Sequence, residues 1–102
     1  KRKKMSKFSQ IINDEKPVLV DFYADWCQPC KVLAPQLKQL KSEMGDAVKI
    51  IKVDVDRNPQ ISAVYNIRSV PTLMLFKQGK ITWSGAGVVP SSQLKNIILA
   101  NS

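Results

Sequence analysis

Two cysteines three positions apart are the residues of this chain that are best suited to chemistry. Cys27 and Cys30 are the only cysteines among 102 residues. They follow the apolar run 18–23 and open a helix-like segment, 31–44. Two sulfurs one helical turn apart can form and break a disulfide, and a helix N-terminus helps a thiol to lose its proton. The pattern predicts redox chemistry. A purely structural disulfide is the alternative, although closing so short a loop removes little chain entropy.

The composition excludes several other kinds of site. The chain has no histidine, which excludes Cys-His and Ser-His-Asp catalysis. Lys31 follows Cys30 where a haem attachment motif needs histidine. A single cysteine pair is a poor zinc site, since structural zinc takes four ligands. We therefore expect no bound metal.

The charge is strongly basic and begins at the N-terminus. The formal net charge is +8, and the first four residues are all lysine or arginine. We interpret residues 1–5 as a basic N-terminal extension and residues 6–102 as one domain. The extension is either a solvated tail or a contact for an anionic surface. We expect no nucleic-acid partner, because no basic stripe with interleaved aromatic residues is present.

The sequence also bears on the membrane and the compartment. No apolar run approaches the roughly 20 residues of a membrane-spanning helix. No apolar stretch follows the basic N-terminus, so an intact signal peptide is not expected. We expect a cytoplasmic protein without membrane contact. The same sequence is compatible with a periplasmic or secreted protein whose signal has been removed.

The elements that position the cysteines can be predicted from hydrophobic periodicity and from turn residues. Their order is α-β-α-β-α-β-β-α, with Gly45 ending the second helix and Ser91 or Ser92 capping the last. Helices are predicted at 7–13, 31–44, 59–65 and from residue 91, and strands at 18–23, 48–55, 72–76 and 81–83. Strand–helix–strand connections give parallel pairs, and the link 77–80 suggests an antiparallel hairpin. The predicted fold is α/β, with a mixed sheet flanked by helices on both faces.

Several segments resemble the thioredoxin family. Residues 18–31, VLVDFYADWCQPCK, are similar to its active-site segment, and 67–72, IRSVPT, to its cis-proline segment. Residues 52–56, KVDVD, and 85–87, GAG, match further landmarks, so the resemblance covers about residues 6 to 100. It implies a thioredoxin-like fold, in which a first strand precedes the first helix. Only residues 1–5 are available for that strand here, so we expect a central sheet of four strands, with a vestigial or truncated fifth strand as the alternative.

The resemblance implies a catalytic role for four residues. Cys27 is the attacking nucleophile, and Cys30 then attacks the mixed disulfide. Asp21, a carboxylate that is costly in an apolar strand, is the buried acid that assists proton transfer from Cys30. Lys52 pairs with Asp21 through space. The alternatives are a hydrogen-bonded structural acid for Asp21 and a plain surface lysine for Lys52. Gln28 replaces the family's usual glycine, which bears on the reduction potential and not on the type of reaction.

The resemblance also implies an apolar docking surface around Cys27. Its members are Trp26, Pro29, Val70, Pro71, Ala86 and Gly87. Pro71 is the cis-proline that exposes the backbone of Val70, although most X-Pro bonds are trans. Trp26 is a partly exposed platform, with a core tryptophan as the alternative.

The implied function is that of a protein-disulfide reductase. Such a protein acts as a monomer on disulfide-containing proteins, and a separate thioredoxin reductase recycles it. No bound cofactor is implied, because the chain has no Gly-rich dinucleotide loop. One alternative is an extracytoplasmic oxidase, isomerase or cytochrome-maturation protein on the same fold. Another is a non-catalytic binding or scaffold module.

Overall fold

The structure is a computed structural model that describes residues 2–101. Its elements follow the predicted order, α-β-α-β-α-β-β-α. They are α1 (Arg2–Ile12), β1 (Val18–Tyr23), α2 (Gln28–Met44), β2 (Lys49–Asp54), α3 (Pro59–Val64), β3 (Thr72–Lys77), β4 (Lys80–Ala86) and α4 (Ser91–Ala100). A short 3-10 turn, Gly45–Ala47, follows α2. None of the helices within residues 2–101 has the length and apolar character needed to span a bilayer.

The strands form one mixed sheet in the order β2-β1-β3-β4. β1 runs parallel to β2 and antiparallel to β3, and β4 is antiparallel to β3. The α/β prediction is confirmed. Within the described residues the sheet has four strands, and the alternative with a fifth strand is not observed.

Helices cover both faces of the sheet, as predicted. Leu19 of β1 packs into a core with buried residues of α2 and α4, including Leu37 and Leu94. Val20, the next residue along the strand, packs into a second core with Phe8 of α1 and other residues. β1 is thus apolar on both faces because each face contacts a helical layer, which explains its nearly continuous apolar sequence.

Helix α1 begins five residues earlier than predicted. The sequence predicts a first helix from Lys7 and an extension over residues 1–5, whereas α1 begins at Arg2. Lysine and methionine are good helix formers, and the Lys4 ammonium donates to the Arg57 carbonyl oxygen at 2.9 Å. The predicted boundary at Ser6 therefore falls inside a helix.

The predicted serine cap of α4 is wrong. The N-cap residue is Pro90, and no side chain caps the helix. The backbone N–H of Ser91 instead donates to the Gln36 side-chain oxygen of α2 at 2.9 Å. A long-range contact thus replaces the local one that the sequence suggested. The predicted end of α2 is confirmed, with Gly45 at the C-cap and φ at 55°.

Candidate active site

The two cysteines lie where β1 leads into α2. Cys27 is the N-cap residue of α2, and its sulfur accepts a hydrogen bond from the Cys30 backbone N–H at 3.1 Å. The two residues are joined by a disulfide, with their Cα atoms 5.3 Å apart. Pro29 occupies the first turn of α2, where its missing N–H leaves no carbonyl unpaired. The sulfur of Cys27 therefore lies at the positive end of the helix dipole.

Burial does not distinguish the two cysteines in this oxidised state. Cys27 is 3% exposed and Cys30 is 6% exposed. Both pack with Ala24, and the partly buried side chains of Tyr23, Val55 and Val70 surround them. Their different positions on α2, and not their exposure, separate their chemistry.

Asp21 is buried in the middle of β1, as its sequence context suggested. It is 1% exposed, and its Oδ1 atom has no hydrogen-bond partner. Burial raises the pKa of Asp21 to about 6, against an opposing effect from the positive charge of Lys52. A carboxyl with this pKa exchanges a proton near neutral pH, as an acid–base group requires.

Lys52 lies beside Asp21 without forming an ion pair with it. The two residues are direct partners in the parallel register of β1 and β2. The Lys52 ammonium lies over the ring of Tyr23, 4.3 Å from its centroid. The ion pairs found among residues 2–101 do not include Lys52. Lys52 therefore acts on Asp21 through its field, while its ammonium contacts an aromatic face.

Trp26 projects from the surface next to Cys27. Trp26 is 70% exposed, which rules out the alternative of a core tryptophan. The indole Nε1 donates to Asp56 Oδ2 at 2.9 Å. Asp56 follows β2, where the carboxylate of Asp54 accepts the backbone N–H of Asp56 at 2.9 Å. The orientation of the indole is thus tied to the turn after β2.

The segment before β3 forms the other side of the site. Val70 and Pro71 are joined by a cis peptide bond, as predicted, and Val70 packs against the disulfide cluster. The N–H of Gly87 donates to the Pro71 carbonyl oxygen at 3.0 Å. Ala86 pairs with Thr72 across β3 and β4. Ala86 and Gly87 therefore lie next to Pro71. Pro29, on α2, is exposed.

A small groove connects the two sides. Trp26 and Val70 line a cavity of about 150 Å³ together with residues of the 67–69 segment and Val55. Residues from three separate parts of the chain thus meet next to the disulfide. Such a concave apolar surface suits the side chains of a protein substrate.

Comparison with known proteins agrees with this geometry. The family model described as "Thioredoxin" matches residues 1–100. A thioredoxin of Porphyra purpurea is 43% identical over 89 residues, which are 87% of this chain and 83% of that protein. Thioredoxin 1 of Chlorobaculum tepidum is 43% identical over 87% of this chain and 88% of its own length. A thioredoxin of Haemophilus influenzae is 43% identical over 88% of this chain and 84% of its own length.

The chain belongs to the thioredoxin family. Family membership, together with the Cys27–Cys30 disulfide, makes it a thiol-disulfide oxidoreductase and a protein-disulfide reductase. The thioredoxin fold and the redox-active pair predicted from the sequence are confirmed.

Sequence reasoning missed two residues of this thioredoxin site. Asp56 belongs to the KVDVD segment, whose sequence does not predict a contact with Trp26. Its signal was positional: Asp56 follows β2 and Trp26 follows β1, and the carboxyl ends of parallel strands meet at one edge of a sheet. Tyr23 was assigned only to a strand, yet its ring contacts Lys52. Its place two residues after Asp21, on the same face of β1, was the available signal.

Proposed function

We propose that Cys27 carries out the nucleophilic attack and that Cys30 completes the reduction of the substrate. The Cys27 thiolate attacks one sulfur of a substrate disulfide, which forms a mixed disulfide and releases the other sulfur as a thiolate. Cys30 then loses its proton and attacks the Cys27 sulfur. The second substrate sulfur leaves, and the Cys27–Cys30 bond forms. Two electrons have passed to the substrate, and each released thiolate takes up a proton.

The capping geometry of Cys27 carries this proposal. Its sulfur already accepts the Cys30 N–H at 3.1 Å, and it lies at the N-terminus of a helix of 17 residues. Backbone N–H groups at this position stabilise negative charge. Cys30 lies one turn into the helix, where this stabilisation is weaker. Cys27 is therefore the better thiolate of the two.

Asp21 is the group that we assign to the proton of Cys30. Its raised pKa of about 6 lets it accept and return a proton near neutral pH. Its buried Oδ1 atom has no protein partner that would compete for that proton. We assign to Lys52 the role of limiting the rise in this pKa, since its charge favours the ionised carboxylate.

The substrate-docking surface comprises Trp26, Pro29, Val70, Pro71, Ala86 and Gly87. The exposed indole of Trp26 and the contact of Val70 with the disulfide cluster support this assignment. An apolar surface with one fixed aromatic side chain accepts many sequences, because it makes few specific polar contacts. This suits a reductase that acts on different proteins.

We further propose a monomer that works in the cytoplasm and is recycled by a thioredoxin reductase. The formal net charge of +8 disfavours association between copies through mutual repulsion. A reductase also needs a continuing supply of electrons, which reducing compartments maintain. Its substrates are disulfide-containing proteins.

Mixed-disulfide trapping tests the roles of the two cysteines. Cys30→Ser removes the resolving thiol, so the reduced variant should accumulate a stable adduct with a disulfide protein such as insulin. Cys27→Ser should form less than about a tenth as much adduct, measured by intact mass under non-reducing conditions. Adduct formation by Cys27→Ser but not by Cys30→Ser would reverse the assignment.

The redox equilibrium with glutathione separates reductase from oxidase. We expect a potential near that of known thioredoxins, about −270 mV, and far from the value of about −120 mV of a strong oxidase. A value near the latter would favour the oxidase alternative. Full biological activity of a Cys27→Ser, Cys30→Ser double variant would favour the binding-module alternative.

A further inference from the structure

We propose that the open edge of β2 binds an extended acidic segment of a partner protein. This surface lies outside the substrate-docking surface and goes beyond the disulfide chemistry. β2 is the last strand at one side of the sheet, so no strand among the described residues pairs with its outer edge. Unpaired strand edges are sites where an extended peptide can add as a further strand.

The backbone of β2 presents two residues for such pairing. The N–H groups of Lys49 and Val55 donate to carbonyl oxygens on the β1 side, each at 2.9 Å. Because the direction of N–H and C=O groups alternates along a strand, those of Ile50 and Lys52 point to the outer edge. The next residue in this series, Asp54, already has its carbonyl bound by Asn58. The pairing surface is therefore short and centred on Ile50 and Lys52.

A cavity lies beside this edge on the α2 side of the sheet. Its volume is about 490 Å³. Its floor is largely apolar, formed by Ala34 and Leu37 of α2 and by Ile50. Three lysines line it, namely Lys38, Lys41 and Lys52.

A second cavity, of about 200 Å³, lies on the α1 side of the same strand. Phe8 and Ile11 of α1 and Val53 of β2 contribute apolar walls. Lys4 and Lys7 of α1 line it as well. The side chains of an added strand alternate between these two cavities, and each cavity offers an apolar wall with ammonium groups.

The charge around the edge is mostly not neutralised within the protein. Within residues 2–101, the ion pairs include Lys49 with Asp14 at 3.2 Å but none of the lysines that line the two cavities. Lys41 donates to two carbonyl oxygens, those of Gly45 and Val48. A glutamate-rich strand would supply the missing negative charges.

The same lysines argue against a second copy of this chain as the occupant. Two β2 edges brought together would place like charges opposite each other, which is destabilising. Lysines on edge strands are a common protection against self-association. An acidic strand meets attraction at the positions where a second copy meets repulsion.

A blocked peptide of four Glu-Val repeats is the probe that we would use with the oxidised protein. Saturating peptide should slow amide hydrogen exchange at least tenfold at Ile50 and Lys52. The amides of Ile51 and Val53, which face β1, and those of the opposite edge strand β4 should change less than twofold. The matched Lys-Val peptide should give no protection. This readout requires no turnover, so it is independent of the proposed function.

Two comparisons separate strand addition from simple attraction between charges. Lys38→Glu should weaken binding of the Glu-Val peptide at least fivefold, while Lys80→Glu, the same charge change on β4, should weaken it less than twofold. A peptide with N-methylated valines keeps its charge but loses backbone donors, and it should bind at least fivefold more weakly. Equal binding of the unmodified and the N-methylated Glu-Val peptides would overturn the proposal, as would equal effects of Lys38→Glu and Lys80→Glu. Absence of protection at Ile50 and Lys52 would overturn it too. Protection that rises with protein concentration in the absence of peptide would indicate a second copy as the occupant and would also overturn it.

Discussion

Asp21 places an ionisable group inside a strand that is buried on both faces. In an unfolded chain an aspartate ionises near pH 4, whereas burial raises the pKa of Asp21 to about 6 in the folded protein. Below about pH 4 the group is protonated in both states and has no effect. As the pH rises to about 6, the unfolded state releases its proton first, so the free energy of unfolding falls.

Replacing Asp21 with asparagine should therefore stabilise the protein at neutral pH. Asp21→Asn removes a buried charge, and we expect the free energy of unfolding to rise by about 1–3 kcal/mol at pH 7.5 but by less than about 1 kcal/mol at pH 4. Turnover at pH 7.5 should fall at the same time. Urea denaturation at both pH values measures the first effect. Asp46→Asn is the control, since Asp46 is exposed and lies in the turn after α2, and it should change neither quantity much. Equal stabilisation at both pH values would contradict the titration of Asp21.

The hydrogen bond from Trp26 to Asp56 gives a second prediction for a single residue. Asp56→Ala removes the acceptor that orients the exposed indole. We expect KM for a protein disulfide to rise about 2- to 10-fold, as for the loss of a hydrogen bond worth about 0.5–1.4 kcal/mol, with kcat changing less than about twofold. Asp56→Asn keeps an oxygen acceptor and should restore most of the affinity. If the indole N–H resonance of Trp26 shifts while KM stays the same, Trp26 does not contact the substrate.

The turn between β3 and β4 contains one residue, Gln78, in an unfavourable backbone conformation. Gln78 and Gly79 both have positive φ, 52° and 80°, which matches the two-residue turn that favours Asn-Gly. Glutamine is strained at such an angle and asparagine is tolerated. Gln78→Asn should therefore raise the free energy of unfolding by about 0.5–1 kcal/mol in chemical denaturation. Gly79→Ala should instead lower it by about 1 kcal/mol. Destabilisation by Gln78→Asn would mean that the turn needs the longer side chain.

Most of the elements could be predicted from local sequence, and their ends show where this fails. The strand β1 and the helix α2 carry strong periodic patterns, so their order and burial followed from the sequence. The start of α1 did not, because the Lys4 ammonium is held by the Arg57 carbonyl oxygen, far away in the chain. The capping of α4 depends in the same way on a distant residue, because the Gln36 side chain accepts from Ser91 and no serine caps the helix. Contacts between distant segments decide these positions, and a local pattern does not contain them.

The features of the active site also differ in whether a short stretch of sequence predicts them. The Cys27–Cys30 pair and the burial of Asp21 could be predicted because each depends on one short segment. The contact of Lys52 with Tyr23 could not be predicted, since it depends on how β1 and β2 pair and on which neighbouring group the Lys52 ammonium contacts. The sequence suggests that Lys52 pairs with the carboxylate of Asp21, whereas its ammonium contacts the ring of Tyr23. The carboxylate still feels the lysine charge through space.

At the scale of the whole molecule, charge is distributed unevenly. The formal net charge is +8. Beside the indole of Trp26, however, Asp25, Asp54 and Asp56 are grouped, and Arg57 pairs with two of them. The molecule measures 34 × 32 × 18 Å. The Debye length is about 30 Å at 10 mM salt and about 8 Å at 150 mM. A substrate at the site therefore feels the entire positive molecule at low salt and mainly the local groups at physiological salt.

Salt should consequently change substrate preference. For two peptides that share one disulfide but carry three glutamates or three lysines, we expect kcat/KM for the acidic peptide to fall about 3- to 10-fold between 10 and 150 mM salt. The basic peptide should show the opposite change, because screening removes its repulsion from the molecule. A neutral peptide is the control and should change less than twofold. Stopped-flow measurements under single-turnover conditions would isolate the encounter from recycling. If kcat/KM instead rises with salt for the acidic peptide and falls for the basic peptide, the local carboxylates and not the net charge control the approach of substrates.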